Sequence, residues 1–340
     1  MNPTIVTGMH RSGTSAIARL IHELGADVGS NLLPAATGNV HGHFEEAGFI
    51  AFHDMLIARF FPHRAPFCEW LPLSDAEVAY ADADRAEAGS IWKTHVVFGG
   101  TAWKDPRTSL FLDLWTELLP DAKVIVCLRH PYQVHRSLLR RGEPFLHVNY
   151  VAAILGWTVY NQRILRFVSQ LPKSRFTVID VESAFREPQA LAEGMARFME
   201  RPMSAKALGA IDSDAFHFED DGQDALNYFE AFFPEAGAIY RQLKQYDFLH
   251  PVSFVPTTPE NASSIRSEEA RLIEFEESHG LRARARKMLV RSIAVDRQRS
   301  TDLYHQLARV DAEKDRLIED LTRFNERLKE SVAQMQAAQQ

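Results

Sequence analysis

A glycine-bracketed loop directly after the first apolar run sets the terms for the rest of this chain. The β-branched run Thr4–Thr7 leads into Gly8-Met9-His10-Arg11-Ser12-Gly13-Thr14-Ser15. Ile17, Leu20, Ile21 and Leu24 follow at helical spacing, with Gly25 as a natural stop. Strand, loop and helix in direct succession form the frame of a P-loop: consecutive backbone N–H groups can wrap an anion, and the helix N-terminus adds partial positive charge aimed at it. A Walker A loop needs a lysine after its second glycine to reach the β and γ phosphates, but Thr14 stands there and the cation comes earlier, at Arg11. The pattern argues against ATP or GTP hydrolysis and for a ligand with an anionic 5′ group held without a metal clamp. The alternative is a tight turn whose Ser and Thr only cap a helix.

Three more apolar runs, Trp92–Phe98, Lys123–Leu128 and Phe176–Val181, alternate with helical periodicity. This order predicts an α/β, P-loop-NTPase-like three-layer fold with a mainly parallel sheet. A long helix is expected from about Val148 to Val168, with Ile154, Trp157, Ile164, Leu165 and Val168 on its core face. The run Lys123–Leu128 delivers Arg129, then His130, Pro131 at a helix start, and a helix bearing Ser137, Arg140 and Arg141. A guanidinium at a strand's carboxyl edge and a hydroxyl on the next helix offer a two-point grip on a second phosphate, at the edge where open α/β sheets bind ligands.

Composition narrows the function classes. At 340 residues, 46% hydrophobic and 24% charged, the chain is globular and long enough for a sizeable core. A net charge of −7 argues against a broad nucleic-acid surface and leaves room for a local anion site. Cys68 and Cys127 cannot form a disulfide framework and fit a reduced compartment. No run approaches the ~18 apolar residues of a membrane span, and no secretory signal is evident, so the expectation is a cytoplasmic, non-transmembrane protein.

Between Gly25 and Phe49 the sequence has no period, carries His41, His43, Glu45 and Glu46, and follows the candidate phosphate loop; it is read as active-site lining. Residues 1–262 are taken as the α/β domain. A charged neck follows at 263–300, with five acidic residues at 268–277 and seven Lys or Arg at 281–299. In residues 301–340, Leu303, Leu307, Val310, Leu317, Leu321, Phe324, Leu328 and Met335 hold seam positions, with Lys314 and Ser331 the polar exceptions. This predicts a coiled coil, and with it self-association or tethering to another domain; a long helix folded back on the domain is the alternative.

The chain resembles the sulfotransferase family that uses 3′-phosphoadenosine-5′-phosphosulfate (PAPS). GMHRSGTS is similar to that family's 5′-phosphosulfate loop and LRHPYQVHRS to its 3′-phosphate element, with Arg129 and Ser137 at the family's spacing. NVHGHFEE, the WKDPR of Trp103–Arg107 and FTVIDVESAFREPQ extend the likeness over roughly residues 4 to 250. It implies PAPS as co-substrate, no metal, Ser12, Gly13, Thr14 and Ser15 at the 5′ end, and sulfuryl transfer to a hydroxyl. Resemblance to bacterial and polysaccharide-type members points to a glycan or glycolipid acceptor.

Sulfuryl transfer, like phosphoryl transfer, proceeds by a loose in-line displacement. Arg11 is the candidate for stabilising the leaving phosphate, although family members often carry Lys there and Arg cannot supply a proton. For the general base, the likeness offers Glu45 and its rival Glu46 in GHFEE, or His95 in Lys93-Thr94-His95, which is similar to the base-bearing strand of the cytosolic small-molecule branch. Lys104, Arg107 and His43 are candidates for contact with sulfate or acceptor, an ion pair with Asp105 being the structural alternative. His41 and His43 lack a third metal ligand at a telling spacing. Asp180 ends a Walker-B-like strand and is read as a cap. The alternative functions are a nucleotide kinase-like phosphoryl transferase and a non-catalytic nucleotide-binding scaffold.

Overall fold

A computed structural model describes residues 2–33, 44–65, 68–141, 150–211, 226, 229–230 and 233–252 of the chain, all within the unit Met1–Pro256. The expected neck and coiled coil, and His41 and His43, lie outside the described residues.

Four parallel strands, β1 (Thr4–Thr7), β4 (Ala102–Lys104), β5 (Lys123–Leu128) and β6 (Phe176–Asp180), form a sheet in the order β4-β1-β5-β6. Val6 pairs with both Lys104 and Ile125, and Leu128 with Asp180, so the strand ends that carry the candidate residues share one edge. A separate antiparallel pair joins β2 (Arg64–Ala65) to β3 (Cys68–Pro72).

The apolar runs are near-continuous because both faces of the parallel sheet are covered. Ile5, Trp103, Val124, Val126, Leu128 and Val178 face a core built with α2 (Ala47–Phe60), α4 (Leu112–Leu118) and α6 (Tyr150–Val168). Val6, Ala102, Ile125, Cys127 and Ile179 face α1 (Thr14–Glu23) and α8 (Pro188–Phe198). In α1 the expected residues Ile17, Leu20 and Ile21 are fully buried, and Gly25, at φ 87°, ends the helix in a conformation that favours glycine. In α6, Ile154, Trp157, Ile164 and Val168 are buried as the periodicity predicts.

Two expectations need correction. The run Trp92–Phe98 is not a strand. Trp92 to Val97 complete α3 (Asp82–Val97), whose start is closed by Asp84 Oδ2 accepting from the Ala81 N–H at 2.7 Å. Val96, Val97 and Phe98 are 47%, 79% and 67% exposed, so this apolar stretch lies outside the core and the sheet takes the shorter Ala102–Lys104 instead. The expectation of a P-loop-NTPase-like fold also fails. Where that fold carries its lysine this chain has Thr14, and the ammonium beside the loop comes from Lys104 on β4. At the Walker-B-like position, Asp180 caps the short helix α7 (Val181–Ala184) through Glu182 N, and its Oδ2 accepts from Tyr240 at 2.7 Å.

Candidate active site

The loop between β1 and α1 is held open by unusual backbone. Gly8 has φ 133°, and a Cβ there would lie 2.2 Å from the Cys127 carbonyl of β5, so only glycine lets the two strands approach. Arg11 and Gly13 follow at φ 70° and 79°, and Ser12 N donates back to the Met9 carbonyl at 3.1 Å. Thr7 Oγ1 and Ser109 Oγ share a hydrogen bond of 2.7 Å, and Ser109 Oγ accepts from Gly8 N at 3.0 Å, which pins the loop's entry. No side chain caps the start of α1, and its first turn holds no acidic residue. A glycine-lined turn feeding an uncapped helix N-terminus is a cradle for an anion.

The second candidate anion element is stitched to the first. Arg11 Nε donates to Ser137 Oγ on α5 (Pro131–Arg141) at 2.9 Å, and Arg129 Nη1 donates to the Arg11 carbonyl at 3.3 Å. Arg129 and Ser137 are each 4% exposed, and the Arg129 carbonyl accepts from the Trp157 indole at 3.1 Å. The half-buried Arg11 and the buried Arg129 thus bring two guanidinium groups, and the Ser137 hydroxyl, to one sheet edge. On the far side of Arg129, Nε donates to Glu182 Oε1 at 3.1 Å. Burial raises the Glu182 pKa, the Arg129 charge opposing it. Next to Arg129, burial lowers His130 to about 4, so its imidazole is neutral; Nδ1 accepts from Tyr132 N.

Opposite the loop lies a charged cluster. Lys104, 1% exposed at the end of β4, donates from Nζ to Glu45 Oε1 at 2.5 Å and to Ser15 Oγ at 3.2 Å. Glu45, 6% exposed, also faces Arg107 Nη1 at 3.5 Å. Arg107 donates to Asp105 Oδ1 through Nη1 at 3.1 Å and through its backbone N at 3.0 Å, and to Asp54 Oδ1 through Nε at 2.6 Å. Asp105 is fully buried. Burial would raise its pKa, but Arg107 and His53 hold it well below the usual carboxylate range. The Trp115 indole donates to His53 Nε2 at 2.8 Å, so the proton sits on His53 Nδ1, which donates to Asp105 Oδ2 at 2.7 Å. The chain Trp115–His53–Asp105–Arg107 thus runs from the core to Glu45.

The remaining base candidates sit elsewhere. His95 is on α3 and 2% exposed; Nε2 donates to the Ala102 carbonyl at 2.8 Å and Nδ1 is hydrogen-bonded to Glu46 Oε2. The structure brings Glu45, Lys104, Arg107 and Ser15 together, joins Arg11, Ser137 and Arg129, and pairs Glu46 with His95 in a link between the starts of α2 and β4. Asp54, His53 and Glu182 were not singled out by sequence reasoning. The polar pair His53-Asp54 inside the apolar AGFIAFHDMLIARF of α2 was the available signal.

Residues 3–205, more than half the chain, match the sulfotransferase family. The chain belongs to that family. It is a PAPS-dependent sulfotransferase, and its α/β fold is to be placed with the sulfotransferases and not with the P-loop NTPases. Solved structures similar to it include sulfotransferase STF9 from Mycobacterium avium, at 17% identity and TM-score 0.43, covering 68% of this chain and 76% of that one. Sulfotransferase STF1 from Mycobacterium tuberculosis H37Rv gives 16% and 0.40 over 68% and 76%. The sulfotransferase domain from the curacin biosynthetic pathway gives 17% and 0.37 over 79% and 97%. No curated protein matches the chain. Among the described residues no helix is long and apolar enough to cross a membrane, and no group of His, Cys, Asp or Glu is placed to hold a metal ion.

Proposed function

We propose that this sulfotransferase transfers the sulfuryl group of PAPS to a hydroxyl of a glycan or glycolipid, with Glu45 as general base. The observation that carries this reading is Lys104, whose ammonium lies within hydrogen-bond reach of both the Ser15 hydroxyl at the loop and the Glu45 carboxylate. Ser12, Gly13, Thr14 and Ser15 hold the 5′ end of the donor, and Arg129 with Ser137 its 3′-phosphate. Arg11, bonded to Ser137 and carrying a fixed positive charge, stabilises the phosphate that leaves.

Before the donor enters, Glu45 is occupied by its ion pair with Lys104 at 2.5 Å, with Arg107 at 3.5 Å on its other oxygen. Donor charge in the loop draws the Lys104 ammonium toward Ser15 and the sulfuryl oxygens. The carboxylate then loses its nearest counter-charge and takes the acceptor's proton as the hydroxyl oxygen bonds to sulfur and the bond from sulfur to the 5′-phosphate oxygen breaks. One residue thereby couples donor occupancy to the freeing of the Glu45 carboxylate. Arg107, held by Asp105 and Asp54, keeps the second carboxylate oxygen in place.

The test is turnover of the Glu45→Gln, Glu46→Gln and His95→Ala variants beside calorimetric binding of the donor product, adenosine 3′,5′-bisphosphate. Glu45→Gln is expected to lose at least about 10²-fold in kcat with nucleotide binding retained. Unchanged turnover in Glu45→Gln, with loss in His95→Ala or Glu46→Gln, would overturn the assignment of the base.

A further inference from the structure

The Arg129 guanidinium already has an anion against it. Arg129 leaves β5 and Glu182 lies just beyond β6, the neighbouring strand; Leu128 and Asp180 are in register, so both side chains rise from the same sheet edge. Nε donates to Glu182 Oε1 at 3.1 Å, while Nη1 is turned to the Arg11 carbonyl at 3.3 Å. The Arg129 side chain is 5% exposed and that of Glu182 23%. Arg129 is thus enclosed and Glu182 is the more exposed of the two partners. Neutral His130 has Nε2 toward Glu230, Asp180 is paired with Lys244 at 2.7 Å, and Asp247 shares that lysine at 2.8 Å.

We propose that Glu182 is a built-in competitor for the 3′-phosphate, a residue that weakens the hold of Arg129 on the nucleotide and so sets the affinity for the spent bisphosphate. This rests on the reading of Arg129 as the 3′-phosphate ligand. A guanidinium is a fixed planar fork of five N–H donors. A phosphate reaching that fork either displaces the carboxylate from Nε or binds beside it, within one guanidinium width. In both cases two like charges share one cation in a low-dielectric pocket. The carboxylate keeps the buried arginine neutralised between turnovers, and its repulsion favours departure of the bisphosphate after transfer.

Glu182→Gln separates charge from geometry, because the amide oxygen still accepts from Nε while the negative charge is gone. Adenosine 3′,5′-bisphosphate and AMP, which lacks the 3′-phosphate, are titrated calorimetrically into wild type, Glu182→Gln and Glu182→Asp. The expected result is bisphosphate binding tighter by about tenfold or more in Glu182→Gln, with AMP affinity unchanged as the check on folding. Glu182→Asp keeps the charge but draws it back by one methylene, and should fall between the two. Unchanged or weakened bisphosphate binding in Glu182→Gln would show a carboxylate that only orients Arg129 and would overturn the proposal. Wild type binding bisphosphate no better than AMP, with Arg129→Met without effect, would instead remove the 3′-phosphate reading and the proposal with it.

Discussion

Replacing Asp105 by Asn should destabilise the protein far more than its one-atom difference suggests, because the Trp115 indole fixes the proton on His53. Asp105 is fully buried and accepts from His53 Nδ1 at 2.7 Å, Arg107 N at 3.0 Å and Arg107 Nη1 at 3.1 Å. An asparagine oxygen facing Arg107 puts the amide NH₂ against the His53 Nδ1–H; flipped, it puts the NH₂ against two Arg107 donors. Either way two buried donors face each other. The imidazole cannot escape by moving its proton to Nε2, since the Trp115 N–H already points there at 2.8 Å. One buried donor left unsatisfied costs about 1–3 kcal/mol, and a lost charge-assisted bond about 1.5–3 kcal/mol. Arg107 still faces Asp54 and Glu45, so it is not stranded, and the total should be about 3–5 kcal/mol. Urea unfolding of wild type, Asp105→Asn, Trp115→Phe and the double variant measures it. In the Trp115→Phe background the histidine is free to change tautomer and accept from the asparagine, so the cost of Asp105→Asn should fall by about 1–3 kcal/mol. A cost under about 1 kcal/mol, or strict additivity in the cycle, would refute the reasoning.

Other outcomes follow from the same geometry. Gly8→Ala forces a Cβ to within 2.2 Å of the Cys127 carbonyl at φ 133°; it should lower the melting temperature and abolish bisphosphate binding, as scanning calorimetry and titration would show. His130 is pushed down to about 4 by burial, so the unfolded chain binds the extra proton between that value and about 6.5. Stability should therefore fall as pH drops through this window, by up to roughly 3 kcal/mol, and His130→Gln should flatten that part of a urea-midpoint profile. Asp105, whose pKa is depressed, acts at lower pH: its contribution is present above about pH 4 and is lost as pH falls toward its folded value, so Asp105→Asn should lessen the acid sensitivity remaining below pH 4. The Cys127 thiol, buried and pushed up by burial, should resist alkylation in the native protein and react on unfolding.

Where the candidate site is carried by contiguous residues, its local backbone was legible in the chain directly. Gly8 to Ser15 and Arg129 to Ser137 each sit in one strand-loop-helix segment, where backbone geometry follows from local residue types. Contacts between distant segments could not be read in this way. Glu46 meets His95 across 49 residues and His53 meets Asp105 across 52, and no spacing rule encodes such pairs. The strand assignment for Trp92–Phe98 failed because the run is apolar but exposed at its end, so composition imitated a buried strand where the chain was finishing a helix. Conversely Ala102–Lys104, only three residues long, is too short for periodicity to register, although its lysine is the hinge of the proposed mechanism. Glu182 went unnoticed because it follows a strand and precedes a Pro-containing turn, where an acid reads as a cap; only the neighbouring strand reveals the arginine beside it.

The measurement that bears most directly on the donor site is calorimetric binding of adenosine 3′,5′-bisphosphate beside ADP and AMP, each without and with Mg²⁺. Micromolar binding of the bisphosphate in preference to both, unchanged by Mg²⁺ and lost in Arg129→Met, is the expected result. Preference for ADP that depends on Mg²⁺, or no discrimination in favour of the 3′-phosphate, would contradict the assignment of the loop and Arg129 as the two halves of a PAPS site.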